Sequence, residues 1–72
     1  MSTVSLQSRR LSDARDMLTA VKNLNEAIFM AAGSLLQTNP HWCNALQSVS
    51  DEVDSKLHAV TDLLDEIQKE LA

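Results

Sequence analysis

The chain has very few of the residues that break helices or fill the core of a sheet. Its 72 residues include one glycine, one proline, one phenylalanine, one tryptophan and no tyrosine. Aromatic residues make up 3% of the sequence, which is too little for a sheet core, where aromatic and β-branched side chains are enriched. Because good helix formers such as leucine and alanine are common instead, the composition predicts an all-α fold.

Disulfides and long apolar runs are also missing. Cys43 is the only cysteine, so no disulfide forms within the chain. A lone thiol, together with first residues that lack the apolar core of a secretory signal, leads us to expect a reducing, cytoplasmic setting. The longest apolar run, residues 27–32, is far shorter than the roughly 20 residues that span a bilayer, so we expect no membrane association.

The charge is acidic overall and unevenly distributed. A net charge of −4 disfavours general nucleic-acid binding, which requires a positive surface. Residues 1–50 hold four basic and three acidic side chains, whereas residues 51–72 hold two basic and seven acidic ones. An antiparallel hairpin would place the basic start of a first helix beside the acidic end of a second. Each exposed pair contributes only about 0–1 kcal/mol, so the pairs would select the orientation more than they stabilise it.

Asn39-Pro40 is the clearest local signal in the chain. The side chain of Asn39 can cap a helix, and Pro40 suits the first helical position, where no backbone N–H is needed. We therefore predict a single domain, residues 1–72, with helices near residues 5–37 and 40–71 and a turn at 38–40. Gly33 either ends the first helix as its C′ residue or lies within its last turn.

The first helix has the apolar repeat of a helical bundle. In heptad notation, position a holds Leu11, Leu18, Asn25 and Ala32, position d holds Ala14, Val21, Ile28 and Leu35, and position g adds Met17, Leu24 and Ala31. Such a wide stripe is typical of a bundle helix rather than of a two-stranded coiled coil. In the second helix, apolar residues recur every three or four positions from Trp42 to Leu71. A capping-box-like sequence at residues 48–51 allows a break, but the unbroken apolar phase favours one continuous helix.

A hairpin of this size needs additional stabilisation. Chains this short bury only about 60% of their unfolded surface, and with disulfides excluded the remaining common means is oligomerisation. We therefore expect a homodimer in which two hairpins form a four-helix bundle. Asn25 occupies an a position in an otherwise apolar seam, and we predict that it specifies register and oligomeric state. The alternative is a position at the edge of the seam, open to water.

The sequence offers little catalytic or metal-binding chemistry. Asp54, His58 and Asp62 recur at helical spacing and could face a divalent metal, but a bundle site needs further ligands from facing helices, so a solvated polar face is the favoured interpretation. His41 and Cys43 stand two residues apart, which places them on different sides of a helix. No accompanying acid, oxyanion motif or glycine-rich loop is present. We expect no catalytic residue, no metal, no cofactor and no enzymatic activity.

The strongest candidate for binding is the turn end, which we define as the end of the hairpin that carries residues 34–39. The adjoining residues 27–32 are apolar on nearly all sides, so they are either buried where two hairpins meet or form a docking patch. The predicted partner-binding residues are Phe29, Met30, Leu36 and Trp42. The predicted function is a small helical interaction module, an adaptor or regulator that binds another protein.

An RNA-binding dimer is the alternative function. Arg9, Arg10, Arg15 and Lys22 could form a basic strip along the first helix. The predicted architecture is similar in shape to that of plasmid copy-number regulators, a class of small dimeric hairpins that bind RNA, although no motif residue carries over. Pairing of the same basic residues with the acidic second helix is the favoured interpretation, so we expect nucleic acid not to be the partner.

Overall fold

The computed structural model describes the backbone of residues 3–71 and the side chains of residues 6–71, and these form two long helices. Helix α1 spans Thr3–Gly33 and helix α2 spans Pro40–Leu71. Arg15, early in α1, bonds to Asp65, late in α2, and Asn25, late in α1, bonds to Ser50, near the middle of α2. The two helices therefore run in opposite directions. The chain is an antiparallel hairpin, 56 Å long and 17 Å wide. The predicted all-α hairpin and the continuous second helix are confirmed.

The start of α2 is built from the Asn39-Pro40 signal. The Asn39 Oδ1 atom accepts a hydrogen bond from the backbone N–H of Trp42 at 3.1 Å. The Asn39 carbonyl accepts the first intrahelical bond, from the N–H of Cys43 at 3.0 Å. Asn39 therefore acts as the N-cap, and Pro40 occupies the first helical position, where its missing N–H has no consequence.

The end of α1 differs from the prediction, because the helix ends at Gly33 rather than near residue 37. The N–H groups of Ser34, Leu35 and Leu36 bond to carbonyls three residues back, at 3.0–3.1 Å, and the N–H of Asn39 bonds to the Leu35 carbonyl at 2.7 Å. These tight turns satisfy the last carbonyls without a left-handed residue, and Gly33 has no positive φ. Gly33 is therefore not a left-handed C′ residue.

Replacing Gly33 with alanine is expected to stabilise the protein. A Cβ at this position would lie 3.6 Å from Gln47 Nε2, which is ordinary van der Waals contact. Because alanine loses less backbone entropy than glycine in a helix, the free energy of unfolding should rise by about 0.5–1 kcal/mol. Urea denaturation of both proteins at one fixed chain concentration measures the change. A less stable Gly33→Ala variant would contradict the helical conformation assigned to this residue.

One row of side chains on each helix forms the centre of the contact between the two helices. Among the described residues only Asn25, Ala32, Cys43 and Ser50 are buried, and two of these are polar. The row takes every seventh residue, and its members are Leu11, Leu18, Asn25 and Ala32 of α1 and Cys43, Ser50, Leu57, Leu64 and Leu71 of α2.

In the single hairpin, the a positions of the predicted apolar repeat lie in the seam, whereas two of its d positions are exposed. Val21 and Ile28 are 43% and 53% exposed. The a row lies at the centre of the seam of this hairpin, so the flanking d and g rows are fully covered only when a further helix packs on them. In α2 the predicted stripe is divided in the same way: Leu57 and Leu64 lie in the seam, whereas Trp42 and Val49 are exposed.

Candidate interaction surface

A buried polar pair, Asn25 and Ser50, lies in the middle of the seam. The two residues are 8% and 3% exposed. Asn25 Nδ2 donates to the Ser50 carbonyl at 2.9 Å, and Ser50 Oγ donates to Asn25 Oδ1 at 2.9 Å, with the Asn25 carbonyl 3.2 Å away. No buried side-chain nitrogen or oxygen within the described residues is left without a partner. The buried polar atoms of Asn25 and Ser50 therefore find their hydrogen-bond partners within one chain, without a second copy.

The apolar repeat predicted that Asn25 lies in the seam, but it gave no such prediction for Ser50. The signal that could have found Ser50 is the seven-residue spacing that places it in one row with Cys43 and Leu57. The burial of Asn25 rules out the alternative of a seam-edge position open to water. Its bonds to Ser50 tie α1 to α2 of the same chain, and its role in setting the register of the hairpin stays a prediction. Its role in selecting an oligomeric state also stays a prediction.

Ten large apolar side chains are exposed on one side of the hairpin, and we call this surface the apolar face. They are Met17, Val21, Leu24 and Ile28 of α1 and Trp42, Leu46, Val49, Val60, Leu63 and Ile67 of α2. In heptad notation, with the seam residues at a, all ten occupy d and g positions, which flank the seam on the same side of each helix axis. Because the helices run antiparallel, these two flanks point to the same side of the hairpin.

The grooves along the seam agree with this assignment of faces. At the open end, opposite the turn end, the d and g residues Gln7 and Arg10 of α1 line one groove with Ile67 of α2. On the other side of the seam, Arg15 and Lys22 of α1 line a common groove with residues of α2. The apolar flanks therefore share one face, and the polar flanks share the opposite face.

The apolar face is large enough to be an interface. Its ten side chains are between 41% and 71% exposed. At roughly 90 Å² of exposed surface each, they offer roughly 900 Å², compared with about 800 Å² per partner in a standard specific interface. Lys56 lies between Val49 and Leu63 in this face, and apolar surfaces of this extent on a small protein mark an interaction site.

The opposite face carries a groove of about 370 Å³. It is lined by Arg15, Leu18, Thr19, Lys22, Asp54, Leu57, His58 and Thr61. Arg15 donates to Asp65 Oδ1 at 2.7 Å and to Gln68 Oε1 at 2.8 Å. This ion pair joins the basic start of α1 to the acidic end of α2, as the charge distribution predicted, and it is half-exposed, so it contributes little stability.

The candidate metal ligands are only partly brought together. His58 Nδ1 donates to the Asp54 carbonyl at 2.8 Å and lies 3.5 Å from Asp54 Oδ2. Asp62 joins no such cluster: among the described residues, no three side chains of the His, Cys, Asp and Glu types are arranged to hold a metal ion. Cys43 is buried in the seam, whereas His41 is exposed, so the two residues form no catalytic pair.

The four predicted partner-binding residues are all exposed near the turn end. Phe29, Met30, Leu36 and Trp42 are 39%, 75%, 57% and 60% exposed. They do not lie on one side. Trp42 belongs to the apolar face, Phe29 flanks the seam on the polar side, and the f position of Met30 points away from α2. The structure exposes these residues around the end of the hairpin rather than gathering them into one patch.

Neither helix described for residues 3–71 is apolar enough over its length to cross a membrane.

The chain matches no protein-family model, and comparisons with curated proteins and with solved structures give no match either. What the chain does is therefore inferred from its own residues and contacts.

Proposed function

We propose that this chain is a small non-enzymatic interaction module, an adaptor or regulator that binds another protein and works as a homodimer. The observation that carries the proposal is the apolar face. A hairpin that buries only four of its described residues leaves ten large apolar side chains exposed on one side. Surfaces of this kind are covered in a working protein, because each fully buried aliphatic or aromatic side chain contributes roughly 1.5–3 kcal/mol.

A second copy of the chain is the proposed cover for the apolar face. Two hairpins that stack through this face form a four-helix bundle with the d and g side chains inside. Both copies contribute the same surface, as the twofold symmetry of homodimers requires. The roughly 900 Å² on each side is what a standard interface uses.

The turn end is the proposed site for the protein partner. Phe29, Met30 and Leu36 lie outside the apolar face, so they stay exposed when two copies stack. Phenylalanine and methionine are enriched at protein interfaces. The seven acidic residues of the segment 51–72 give α2 a negative surface that suits a basic partner.

Capture experiments test the partner site. The variant Phe29→Asp with Leu36→Asp should lose at least about tenfold in capture of its partner from a lysate of its own host, since two apolar anchors carry much of the binding energy of a small interface. Gln37→Asp with Thr38→Asp is the matched control, because it adds the same two negative charges at exposed positions of the turn end. Unchanged capture by the double variant, or no protein captured by the wild-type chain, would contradict the proposal.

The competing RNA-binding function receives less support. Arg15 of the proposed basic strip is engaged by Asp65 and Gln68, which leaves less positive charge free for phosphates. RNA binding would weaken steeply with salt and be lost when Arg9, Arg10 and Arg15 are replaced. Native mass spectrometry of the protein purified at low salt separates the two functions, because a dimer that carries nucleic acid would favour the second.

A further inference from the structure

We infer that the two copies stack with their turn ends at the same end of the bundle, so that each α1 lies beside α2 of the other copy. This inference rests on the dimer proposed above and adds its orientation. Two orientations satisfy twofold symmetry. In one, the turn ends lie together; in the other, they lie at opposite ends, and each helix lies beside its own equivalent.

Charge favours the arrangement with the turn ends together. Asn25 lies level with Ser50, so Arg10, fifteen residues before Asn25, lies level with residue 65 and close to the level of Glu66. Arg10 and Glu66 occupy the g and c positions at the rim of the apolar face. Within the part of the chain that the structure describes, neither side chain has an ion pair or a hydrogen bond. Only with the turn ends together does Arg10 of one copy meet Glu66 of the other.

Side-chain size favours the same arrangement. Trp42, eight residues before Ser50, lies level with residue 33 of α1. Near that level, the rim of α1 carries the small residues Ala27 and Ala31. With the turn ends together, the large ring of Trp42 therefore packs against small side chains of the other copy, as close packing requires.

The arrangement with the turn ends at opposite ends is unfavourable both in charge and in side-chain packing. It places the two α2 helices side by side and antiparallel, so their acidic segments overlap only near residues 51–60. When the two copies overlap fully, Lys56 lies next to its own equivalent near the twofold axis, and Trp42 lies next to Glu70. Like charges that meet across an interface disfavour it.

The inferred orientation has a consequence for the partner. Both copies of Phe29, Met30 and Leu36 lie at one end of the bundle, so a partner with two binding segments can engage both at once. Such two-site binding increases the apparent affinity because the second contact is intramolecular. We therefore expect the partner to be a protein with two equivalent or repeated segments.

Distances between spin labels test the orientation. The label is placed by Gln37→Cys at the turn end, in a chain whose buried Cys43 is replaced by alanine. Because bundle helices lie about 10 Å apart, two labels at the same end should be less than about 30 Å apart. The opposite orientation separates them by nearly the 56 Å length of the hairpin, and such a distance would overturn the inference. Asn23→Cys, near mid-length, is the control and gives a short distance in both orientations.

A charge exchange gives a second test. Arg10→Glu should raise the dissociation constant of the dimer about three- to tenfold, since two symmetric exposed pairs become repulsive, and adding Glu66→Arg should restore it. If Arg10→Glu has no effect, or if Glu66→Arg gives no rescue, the inference fails. A dimer with distant labels overturns the orientation alone, whereas a wild-type monomer overturns the proposed dimer and the orientation together.

Discussion

Replacing Met17 with aspartate is expected to convert the dimer into monomers, whereas the same replacement at Met30 is expected to leave the dimer intact. The two methionines are 71% and 75% exposed in the hairpin, so the single chain treats them almost equally. They differ in position, because Met17 lies in the apolar face and Met30 points away from it. Any difference between the two variants therefore reports the position of the residue in the apolar face, because exposure, residue type and helix propensity are matched.

The expected effect at Met17 is large. An aspartate buried between two hairpins loses its hydration, and the nearest cation of the other copy, Lys56, is already paired with Glu52 of its own helix, so the buried charge costs about 3–5 kcal/mol. The dissociation constant of the dimer should therefore rise at least about 100-fold. Met30→Asp places a negative charge near the C-terminus of α1, a further cost of about 0.3–1 kcal/mol, which makes an intact dimer in this control more informative. Sedimentation velocity over a range of concentrations measures both variants. Two intact dimers would contradict the role of the apolar face, and so would two monomers.

Replacing Ser50 with alanine is expected to destabilise the hairpin, and replacing Asn25 with leucine in addition is expected to recover most of the loss. The single change removes the hydroxyl donor from Asn25 Oδ1 and leaves a buried amide oxygen without its partner, at a cost of about 1–3 kcal/mol. The double variant replaces both partners with apolar groups, a change that is often close to neutral.

A double-mutant cycle at a fixed chain concentration measures this coupling. We expect a coupling energy of about 1–2 kcal/mol between Asn25 and Ser50, within the range for residues in contact. Ser34→Ala is the control, because its exposed hydroxyl bonds only to the nearby Ala31 carbonyl, and its effect should stay within about 0.5 kcal/mol. Additive effects at Asn25 and Ser50 would show that the pair does not act as a unit.

The same double variant tests whether the pair sets the register. With Asn25 and Ser50 gone, the seam is apolar throughout, and little distinguishes one pairing of α1 and α2 from a shifted one. We expect the amide NMR spectrum of the double variant to show more than one set of resonances for seam residues. A single sharp set of resonances, as expected for the wild type, would show that the short turn sets the register instead.

Local signals in the sequence predicted the hairpin well. Asn39-Pro40 predicted the start of α2, because cap and proline act within one turn of the chain and need no tertiary context. The charge distribution predicted the pairing of Arg15 with Asp65, because any antiparallel hairpin brings these segments together. The end of α1 was predicted about one turn too late. Its apolar residues Leu35 and Leu36 continue the helical pattern, whereas the backbone has already changed to bonds with carbonyls three residues back.

The division of the apolar residues between seam and surface could not be predicted from their pattern. The repeat in α2 identifies side chains that gain from burial, but it does not say whether α1 or another chain covers them. Ser50 reads as a surface residue in that repeat, and yet its pairing with Asn25 makes it one of the most buried residues. The predicted turn-end patch has the same limitation of pattern: spacing alone did not reveal that Phe29 and Trp42 flank the seam on opposite sides.

The solution mass of the wild-type chain tests the central claim most directly. Sedimentation equilibrium at micromolar concentrations should give about 15.8 kDa, twice the 7.9 kDa of one chain, because the apolar face is covered by a second copy. A folded species of 7.9 kDa at the same concentrations would contradict the dimer and would assign the apolar face to a different partner.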